Sequence, residues 1–520
     1  MSDNAWQTAA TTINRCMAAG VSEFVICAGA RNAALIEAIA RAEEAGHAKI
    51  WRHFEERSAG FFALGRCMKN GNPCAVVTTS GTAAAELLPA VIEAFYQNRP
   101  LVLITADRPE NFRGSGAPQS IVQPGIFGPH AAESLAAWDG NRPLHLNIEL
   151  GETFDVSTAS FTSEKPAEFS PAAPKPDVAA LARWLREDLY SGLVVMIGGL
   201  EPEEREEVFH FCRQLGAPLV IDATSGLREA LAPLAIHDAD RLLPRDQPGK
   251  ILRIGEVPTC RFWRDLENLT KISVWSVCRN GLPGLARQSS AIRGNPVRIL
   301  RALGDPEPAD DALDHLVGNS GRLARTEELL EALPDSEPAL VRQLSHYACL
   351  GSSVFLGNSL PIREWNLFAQ NTRPIPLVRA NRGTNGIDGQ ISTWLGATAS
   401  EENAWAVIGD LTTLYDLAGP FVLPQVENNG RVLAVINNRG GQIFSRLPHL
   451  ATMSPRTREC MTNPHEINFT HFAKMWGFHH TAIRGVDDFD SFDPGKSPAL
   501  LEIIPDPKQT ERFWKEWEMT

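Results

Sequence analysis

Two strand-like segments in the last third of the chain each lead into residues that could bind a metal ion. The apolar run 404–408 leads to Asp410, and the apolar run 432–436 is followed by the sequence NNRGG, which contains Asn438 and Gly440. Ligands of open parallel sheets bind beyond the carboxyl ends of the strands. The Asp410 carboxylate, the Asn438 amide oxygen and the Gly440 carbonyl suit a hard cation, and a diphosphate could complete its coordination. The spacing predicts a metal–diphosphate site.

A plainer interpretation stays open at this point. Gly, Asp and Asn are frequent turn residues, and a strand–helix–strand unit can end in them without binding any ligand. The choice between the two depends on the rest of the chain.

Strand-like apolar runs alternate with helix-compatible segments along most of the chain, which is typical of α/β folds. Residues 151–176 break this pattern because they are rich in Ser, Thr, Pro and Glu, and a second break is acidic and contains proline, around 305–314. We therefore predict three doubly wound parallel-sheet domains, at 1–165, 177–330 and 336–520, with a surface linker over 151–176.

Composition and charge argue against several classes of function. The 520 residues are 43% hydrophobic and carry a formal net charge of −13 without a long basic run, which disfavours nucleic-acid binding. No apolar run approaches the ~20 residues that span a bilayer, and the start of the chain lacks the features of a signal peptide. The nine cysteines have no zinc-binding spacing, so reduced thiols and a cytoplasmic location are expected.

Several blocks of the chain resemble, in the same order, one family of thiamine diphosphate (ThDP) enzymes. The GD…NN pattern is similar to the ThDP motif GDG…NN, with Leu411 in place of the second glycine of GDG. The blocks are HFEERSAGFFALG (53–65), TSGTAAAELLPA (79–90), TADRP (105–109), QPGIF (123–127), GNSLPIR (357–363), NRGTNGIDG (381–389), GDLTTLYDL (409–417) and NNRGGQIFS (437–445). They resemble the 2-succinyl-5-enolpyruvyl-6-hydroxy-3-cyclohexene-1-carboxylate (SEPHCHC) synthases of menaquinone biosynthesis, in which GDL is usual.

The resemblance implies a Mg²⁺- and ThDP-dependent carboligase, with Mn²⁺ as an alternative metal. Such an enzyme decarboxylates 2-oxoglutarate and adds the remaining succinyl unit to isochorismate in 1,4 fashion. It implies a pyrimidine-binding domain at 1–165 and a diphosphate-binding domain at 336–520, with Glu56 as the acid that activates the aminopyrimidine and Glu55 as its competitor. The implied metal ligands are Asp410, Asn438 and Gly440. The implied cofactor-binding residues are Glu56, Ser80, Gly81, Ile387, Gly409, Asp410, Leu411, Asn438, Gly440, Gly441, Gln442 and Ile443.

Basic residues in the matching blocks are the candidates for substrate recognition, because arginine binds carboxylates through two hydrogen bonds. The family pattern implies that Ser359, Arg363 and Arg382 lie nearer the distal carboxylate of 2-oxoglutarate. Arg31, Arg108, Gln119 and Arg261 are expected nearer isochorismate. The chain departs from the family pattern on this second side, at Ala30, Pro118 and Cys260.

Two alternatives and one assembly prediction complete the sequence analysis. The chain could be another ThDP-dependent 2-oxo acid decarboxylase or ligase with a different acceptor, or a catalytically silent homologue that keeps the fold. The presence of Glu56, Asp410 and Asn438 argues against a silent homologue. Because Glu56 and Asp410 fall in different predicted domains, the family arrangement implies a homodimer or homotetramer with sites between subunits.

Overall fold

The computed structural model describes residues 5–151, 163, 165–169, 176–187, 192–318, 320–447, 450, 452–493 and 495–519. The predicted linker over 151–176 falls largely outside these residues. The chain forms three parallel sheets, which confirms the predicted α/β class. It separates into two compact units, one of 1–172, 383–401 and 412–428, and one of 173–382, 402–411 and 429–520. Two segments of the third predicted domain thus cluster with the first sheet, and the predicted domain boundaries stay a prediction.

The first unit is built on a five-stranded parallel sheet in the order β2-β1-β3-β4-β5. Its strands are Glu23–Cys27 (β1), Lys49–His53 (β2), Cys74–Thr78 (β3), Leu101–Asp107 (β4) and Leu144–Glu149 (β5). Its helices are Ala5–Ala18 (α1), Ala33–Glu44 (α2), Glu56–Asn70 (α3), Thr82–Ala85 (α4), Leu88–Gln97 (α5) and Gln390–Ala397 (α14). β3 and β4 are buried along their whole length, as expected for the middle of a covered parallel sheet.

Close packing of α3 against α14 organises this unit around the helix that begins at Glu56. A Cβ atom on Gly65 would lie 2.1 Å from the carbonyl oxygen of Thr393, and one on Gly396 would lie 2.0 Å from that of Phe62. Only glycine allows the two backbones to approach this closely. Any larger residue at either position would have to push α3 away from α14.

The second sheet, in the order β10-β9-β8-β6-β7, lies in the second unit. Its strands are Leu193–Ile197 (β6), Leu219–Ile221 (β7), Lys250–Ile254 (β8), Ser273–Cys278 (β9) and Ser290–Arg293 (β10). The associated helices are Ala179–Arg186 (α6), Arg205–Leu215 (α7), Ala239–Leu242 (α8), Arg261–Asp265 (α9), Pro296–Leu303 (α10) and Ser320–Ala332 (α11).

The third sheet is also in the second unit and has the order β12-β11-β13-β14-β16-β15. Its strands are Ser353–Leu356 (β11), Val378–Arg379 (β12), Ala404–Gly409 (β13), Val432–Ile436 (β14), His479–Ile483 (β15) and Ala499–Ile503 (β16). The remaining helices are Glu337–Ala348 (α12), Leu360–Phe368 (α13), Asp410–Tyr415 (α15), Pro455–Thr462 (α16), Thr470–Trp476 (α17) and Pro507–Met519 (α18). β13 and β14 are neighbours in parallel register, so their carboxyl ends, which lead to Asp410 and Asn438, lie side by side. Within the described part of the chain, no helix is both long and apolar enough to cross a membrane.

Candidate active site

Asp410 lies at the end of β13, where the strand gives way to α15. Its side chain is 2% exposed. One carboxylate oxygen accepts the N–H of Leu411 at 2.6 Å, and the other accepts the N–H of Gly440 at 2.8 Å. The structure therefore joins two of the three predicted metal ligands through one hydrogen bond and holds the carboxylate in a fixed orientation.

The surroundings of Asp410 fit a bound cation. Burial raises the pKa of this carboxyl above its usual value, against the effect of the two backbone N–H groups and of His465. His465 Nε2 lies 3.2 Å from Asp410 Oδ2; sequence reasoning missed this histidine, which carries no recognisable spacing. Among the described residues, no lysine or arginine forms an ion pair with Asp410. A buried carboxylate without a strong cationic partner is costly, and a metal ion would offset this cost.

The glycine pair after Asn438 is required by the path of the loop. Gly440 has φ = 132°, and a Cβ atom there would lie 2.4 Å from the carbonyl oxygen of Thr462. The N–H of Gly441 donates to that same oxygen at 2.6 Å. The loop is thus pressed against the end of α16, in a conformation that a side chain at position 440 would prevent.

Asn438 is oriented by a buried glutamate. Its amide nitrogen donates to Glu337 Oε1 at 2.9 Å, which directs the amide oxygen to the opposite side. Gln442 Nε2 donates to the Asn438 carbonyl at 3.2 Å, and Ile443 is half-buried beside it. The described residues contain no group of three or more His, Cys, Asp or Glu side chains that could bind a metal. A metal at Asp410 would depend on an amide oxygen, a backbone carbonyl and the phosphates of the cofactor.

The two neighbouring glutamates at the start of α3 have different roles. Glu55 is the N-cap residue, and its carboxylate accepts the N–H groups of Arg57 at 3.1 Å and Ser58 at 2.9 Å. Glu56 is half-buried and accepts from no other residue among those described. Desolvation raises the pKa of Glu56, and the nearby Glu55 and Glu86 add to this increase. The cap occupies Glu55 and leaves Glu56 available for a proton-transfer role, as the sequence predicts.

Ser80 and Gly81 form the turn between β3 and α4. Gly81 has φ = 85°, and its N–H donates to Gln123 Oε1 at 2.8 Å. A Cβ atom on Gly81 would lie 3.1 Å from the Cα of Gln119, so this predicted substrate residue lies against the predicted cofactor turn. The Ser80 hydroxyl is buried and has no hydrogen-bond partner among the described residues. An unsatisfied buried hydroxyl is consistent with a ligand at this turn.

Arg31 and Arg108 lie at strand ends of the same unit as Gln119. Arg31 Nη1 donates to the Leu150 carbonyl at 3.2 Å, and Arg108 Nε donates to the Pro118 carbonyl at 3.0 Å. Both side chains are half-buried. The structure thus places Arg31, Arg108 and Gln119 in the first unit and Arg261 in the second.

Ile387 lies in the loop that precedes α14, also in the first unit. The start of this loop is held by Glu93, a buried residue of α5, which accepts the N–H groups of Gly383 and Thr384 at 2.7 Å each. Ile387 itself is half-buried. The structure therefore gives this residue a fixed loop, while its contact with a cofactor stays a prediction.

Ser359, Arg363 and Arg382 come together at the end of β11 in the second unit. Arg363 Nη1 donates to the Ser359 carbonyl at 2.7 Å, and Arg382 Nη1 donates to Asn358 Oδ1 at 3.0 Å. Arg382 Nε is buried and has no hydrogen-bond partner among the described residues. Ser359 has φ = 74°, a conformation that disfavours any residue except glycine.

Three charged neighbours of this group, Arg264, Asp222 and Asp240, were missed by sequence reasoning. Partial desolvation lowers the pKa of Arg363, and the positive charges of Arg382 and Arg264 lower it further. Burial acts to raise the pKa of Asp222, but Arg382 outweighs it together with hydrogen bonds from Thr259 and Thr224, so that this carboxyl stays below its usual value. Arg363, Arg382 and Arg264 outnumber the two nearby carboxylates, Asp222 and Asp240, and make this strand end locally positive.

Arg261 was predicted at the second-substrate side, and the structure leaves it on the surface. Its side chain is 60% exposed and lies 3.6 Å from Asp265 on the same helix, α9. Cys260, the preceding residue, is the N-cap of this helix. Arg264, one turn further along, lies close enough to Arg363 to affect its pKa. Both arginines come from α9, but among the described residues only Arg264 joins the positive group.

Comparison with known proteins identifies the family of the chain. Residues 7–126 match the model of the family described as thiamine pyrophosphate enzyme, N-terminal TPP binding domain. The chain is 47% identical to the SEPHCHC synthase of Akkermansia muciniphila, with 96% of both chains covered. It is 35% identical to the synthase of Bdellovibrio bacteriovorus, over 99% of this chain and 98% of the relative. It is 32% identical to that of Geobacillus thermodenitrificans, over 91% of this chain and 88% of the relative.

These matches extend over 91–99% of this chain. The chain belongs to the family of 2-succinyl-5-enolpyruvyl-6-hydroxy-3-cyclohexene-1-carboxylate synthases, which are thiamine diphosphate-dependent enzymes.

Proposed function

We propose that this protein makes SEPHCHC from 2-oxoglutarate and isochorismate, with release of CO₂. The observation that carries the choice of substrate is the positive group of Arg363, Arg382 and Arg264, with Ser359 beside it, at the end of β11. A protein of net charge −13 has to build such a site locally if it is to bind a dicarboxylic acid. Membership of the synthase family supplies the reaction.

Asp410, Asn438 and the carbonyl of Gly440 would hold Mg²⁺, or Mn²⁺ in its place, and through it the diphosphate of ThDP. The fit rests on the buried Asp410 carboxylate, the oriented Asn438 amide and the glycine-dependent loop. When bound, ThDP supplies a thiazolium carbon that can stabilise the negative charge left by decarboxylation of a 2-oxo acid. The two loops that would hold the metal and the diphosphate also contain Gly409, Leu411, Gly441, Gln442 and Ile443.

Glu56 would exchange a proton with the pyrimidine ring of the cofactor. A raised pKa suits this role, because it brings proton exchange by the carboxyl group closer to neutral pH. Ser80 and Gly81 would lie beside the ring, and Ile387 would support the bent shape of the cofactor. All of these residues belong to the first unit.

The arginines would select the substrates by charge. Arg363 and Arg382 would bind the distal carboxylate of 2-oxoglutarate, with Ser359 beside them. Arg31, Arg108 and Gln119, with Arg261, would bind isochorismate. Arg261 has the weakest support in this set because it is exposed and near Asp265.

The working form would be a homodimer, or a tetramer of dimers, with Glu56 and Asp410 of each site on different subunits. Large exposed apolar side chains adjoin the start of α3: Phe54 is 59%, Tyr415 49% and Leu417 47% exposed. Phe54 packs edge-to-face against Phe421, with the ring centres 4.8 Å apart, and Arg57 of α3 lies over the Tyr415 ring, so Phe54, Phe421 and Tyr415 form a patch at the start of α3. Exposed apolar patches of this kind commonly mark subunit interfaces. A cytoplasmic location fits the nine cysteines, all of which are free thiols.

The direct test is to incubate the pure protein with ThDP, Mg²⁺, 2-oxoglutarate and isochorismate and to identify the product by mass spectrometry. SEPHCHC is the expected product. Decarboxylation of 2-oxoglutarate without any adduct of isochorismate would favour a related ligase with another acceptor. Absence of both reactions, with ThDP bound, would favour a catalytically silent homologue.

The shared site can be tested by mixing two inactive variants. Glu56→Gln and Asp410→Asn subunits should regain partial activity when unfolded and refolded together, because a mixed dimer would contain one site with both residues intact. Each variant refolded alone is the control. Activity that never returns, although mixed dimers are detected by native mass spectrometry, would place both residues of a site on one subunit.

A further inference from the structure

The loop from Asn438 to Arg446 is attached at both ends to one pair of buried carboxyl groups. Glu337, the first residue of α12, is 1% exposed, and Glu364 on α13 is fully buried. Glu337 accepts from the amide nitrogen of Asn438 at 2.9 Å. Glu364 accepts from Arg446 Nη2 at 3.3 Å. The pair therefore contacts the loop at both its first and its last residue.

The two carboxyl groups are also close neighbours. Burial raises the pKa of Glu364, and the negative charge of the nearby Glu337 raises it further. Arg446, whose guanidinium lies 3.7 Å from the centre of the Trp514 ring, is the cation beside them. The positive charge of Arg446 offsets negative charge on the two carboxyl groups, so the cluster can persist in the interior.

The contact with Asn438 distinguishes this cluster from an ordinary buried ion pair. A side-chain amide has a donor end and an acceptor end, and Glu337 binds the donor end. The acceptor end must then point away from Glu337. Glu364 directly follows Arg363, on the helix that Ser359 precedes. The same pair thus connects the cofactor loop to the helix of the substrate-binding group.

We propose that Glu337 is a positioning residue that sets the orientation of the Asn438 amide for the metal, and that Glu364 links this setting to α13. The proposal rests on the proposed function, in which Asn438 is a metal ligand. Partners in the outer shell of a metal site fix its ligands, and their removal typically weakens metal binding by ~10–100-fold.

The test compares variants by calorimetric titration of cofactor-free protein, with Mg²⁺ at saturating ThDP and with ThDP at saturating Mg²⁺. Glu337→Met fills similar space without an acceptor, and it should weaken Mg²⁺ binding by ~10–100-fold. Glu337→Gln keeps an acceptor for Asn438 and should stay close to wild type. Thr510→Ala is the matched control, because Thr510 accepts the backbone N–H of Glu337 at 2.9 Å but does not touch the carboxylate. It should lower the melting temperature without weakening Mg²⁺ binding.

Glu337→Asp gives a second, milder test if Glu337→Met does not fold. It keeps a carboxylate but shortens the side chain by one methylene group, and it should weaken Mg²⁺ binding by about tenfold, the lower end for outer-shell partners. Wild-type Mg²⁺ affinity in folded Glu337→Met or Glu337→Asp protein would overturn the proposal, provided that Asn438→Ala weakens Mg²⁺ binding. If Asn438→Ala also binds Mg²⁺ normally, the metal site itself has been assigned wrongly.

Discussion

The turns after β3 and after β11 have nearly the same backbone but different residues. Both lie between a strand and a helix, and both N-cap residues have positive φ: 85° with ψ −137° at Gly81, and 74° with ψ −128° at Ser359. Glycine adopts this conformation without strain, whereas other residues held in it cost of order 1–3 kcal/mol. The turn of the first sheet has glycine, Gly81, which suits this conformation. The turn of the third sheet has Ser359, which does not. Strain of this kind is characteristic of functional sites, here beside Arg363.

The acidic residues of the two sheets differ in a second way. Asp410 is held by two backbone N–H groups and lies against His465. Glu56 receives no hydrogen bond from another residue among those described, while its neighbour Glu55 forms the helix cap. A carboxylate held in one orientation suits the binding of a metal. A carboxylate that accepts no hydrogen bond from a neighbour suits proton exchange. Asp410 is therefore expected to act in cofactor binding and Glu56 in catalysis, and each role can be tested separately.

Glu56→Gln should give the largest effect. It removes the proton-exchanging group but keeps the shape, so kcat should fall by ~10²–10⁴-fold, while the affinity for ThDP should change little. Exchange of the thiazolium C2 proton, followed by NMR, should slow as well. Glu55→Gln is the matched control: it keeps one cap acceptor and should retain most activity. Exchange at the wild-type rate in Glu56→Gln would assign the role to another residue.

Asp410→Asn should weaken the binding of the metal and ThDP, and it should not act on the proton-transfer step directly. The substitution keeps the shape and removes the charge that the metal needs, so we expect the affinity for ThDP in the presence of Mg²⁺ to fall by at least about 100-fold, the upper end of the loss for outer-shell partners. The fold should survive, because burial already disfavours the charged form of Asp410. Calorimetry measures the affinity, and thermal unfolding of the cofactor-free protein is the control. Unchanged affinity for ThDP would contradict the assignment.

Arg363→Ala should affect only the substrate that has a distal carboxylate. A hydrogen bond between charged groups contributes about 1.5–3 kcal/mol, so kcat/KM for 2-oxoglutarate should fall by roughly 10- to 100-fold. Pyruvate, which lacks that carboxylate, should be used about as well as by the wild type. Arg261→Ala is the control on the exposed side and should leave 2-oxoglutarate decarboxylation unchanged. Equal losses for both oxo acids would give Arg363 a role in the fold or the cofactor site.

The sequence predicted the site best where chemistry fixes the residue type. Charge or backbone geometry dictates the residue type at Asp410, Gly440 and Glu56. The blocks around them can therefore be recognised in a single sequence. Residues that act through a neighbour carry no such pattern. Glu337 lies about a hundred positions before Asn438, and nothing in its local sequence indicates that the two meet. His465 reaches Asp410 from a segment without recognisable motif.

In the fold as well, elements with a clear local pattern were predicted, and those that depend on long-range contacts were not. β13 and β14 were predicted because they are continuous apolar runs, typical of strands buried on both faces. β12 has two residues, and β15 reads HHTAI, so neither has a pattern that would distinguish it from a loop. The segments 383–401 and 412–428 join the first unit through packing such as that of Gly65 against α14. Contacts of this kind form only once the chain has folded.

The smallest expected effect compares the two turns directly. Ser359→Gly should relieve the strained backbone and raise the free energy of unfolding by about 1 kcal/mol, the low end for such a conformation. If the hydroxyl binds substrate, kcat/KM for 2-oxoglutarate should fall by up to about tenfold, the value of one neutral hydrogen bond. Gly81→Ala is the reverse change and should lower the free energy of unfolding, because its Cβ atom would lie 3.1 Å from Gln119 Cα at the same positive φ. Denaturant unfolding of the cofactor-free variants measures both. A loss of stability in Ser359→Gly similar to that in Gly81→Ala would mean that the serine is not strained, and that the two turns differ in sequence without differing in function.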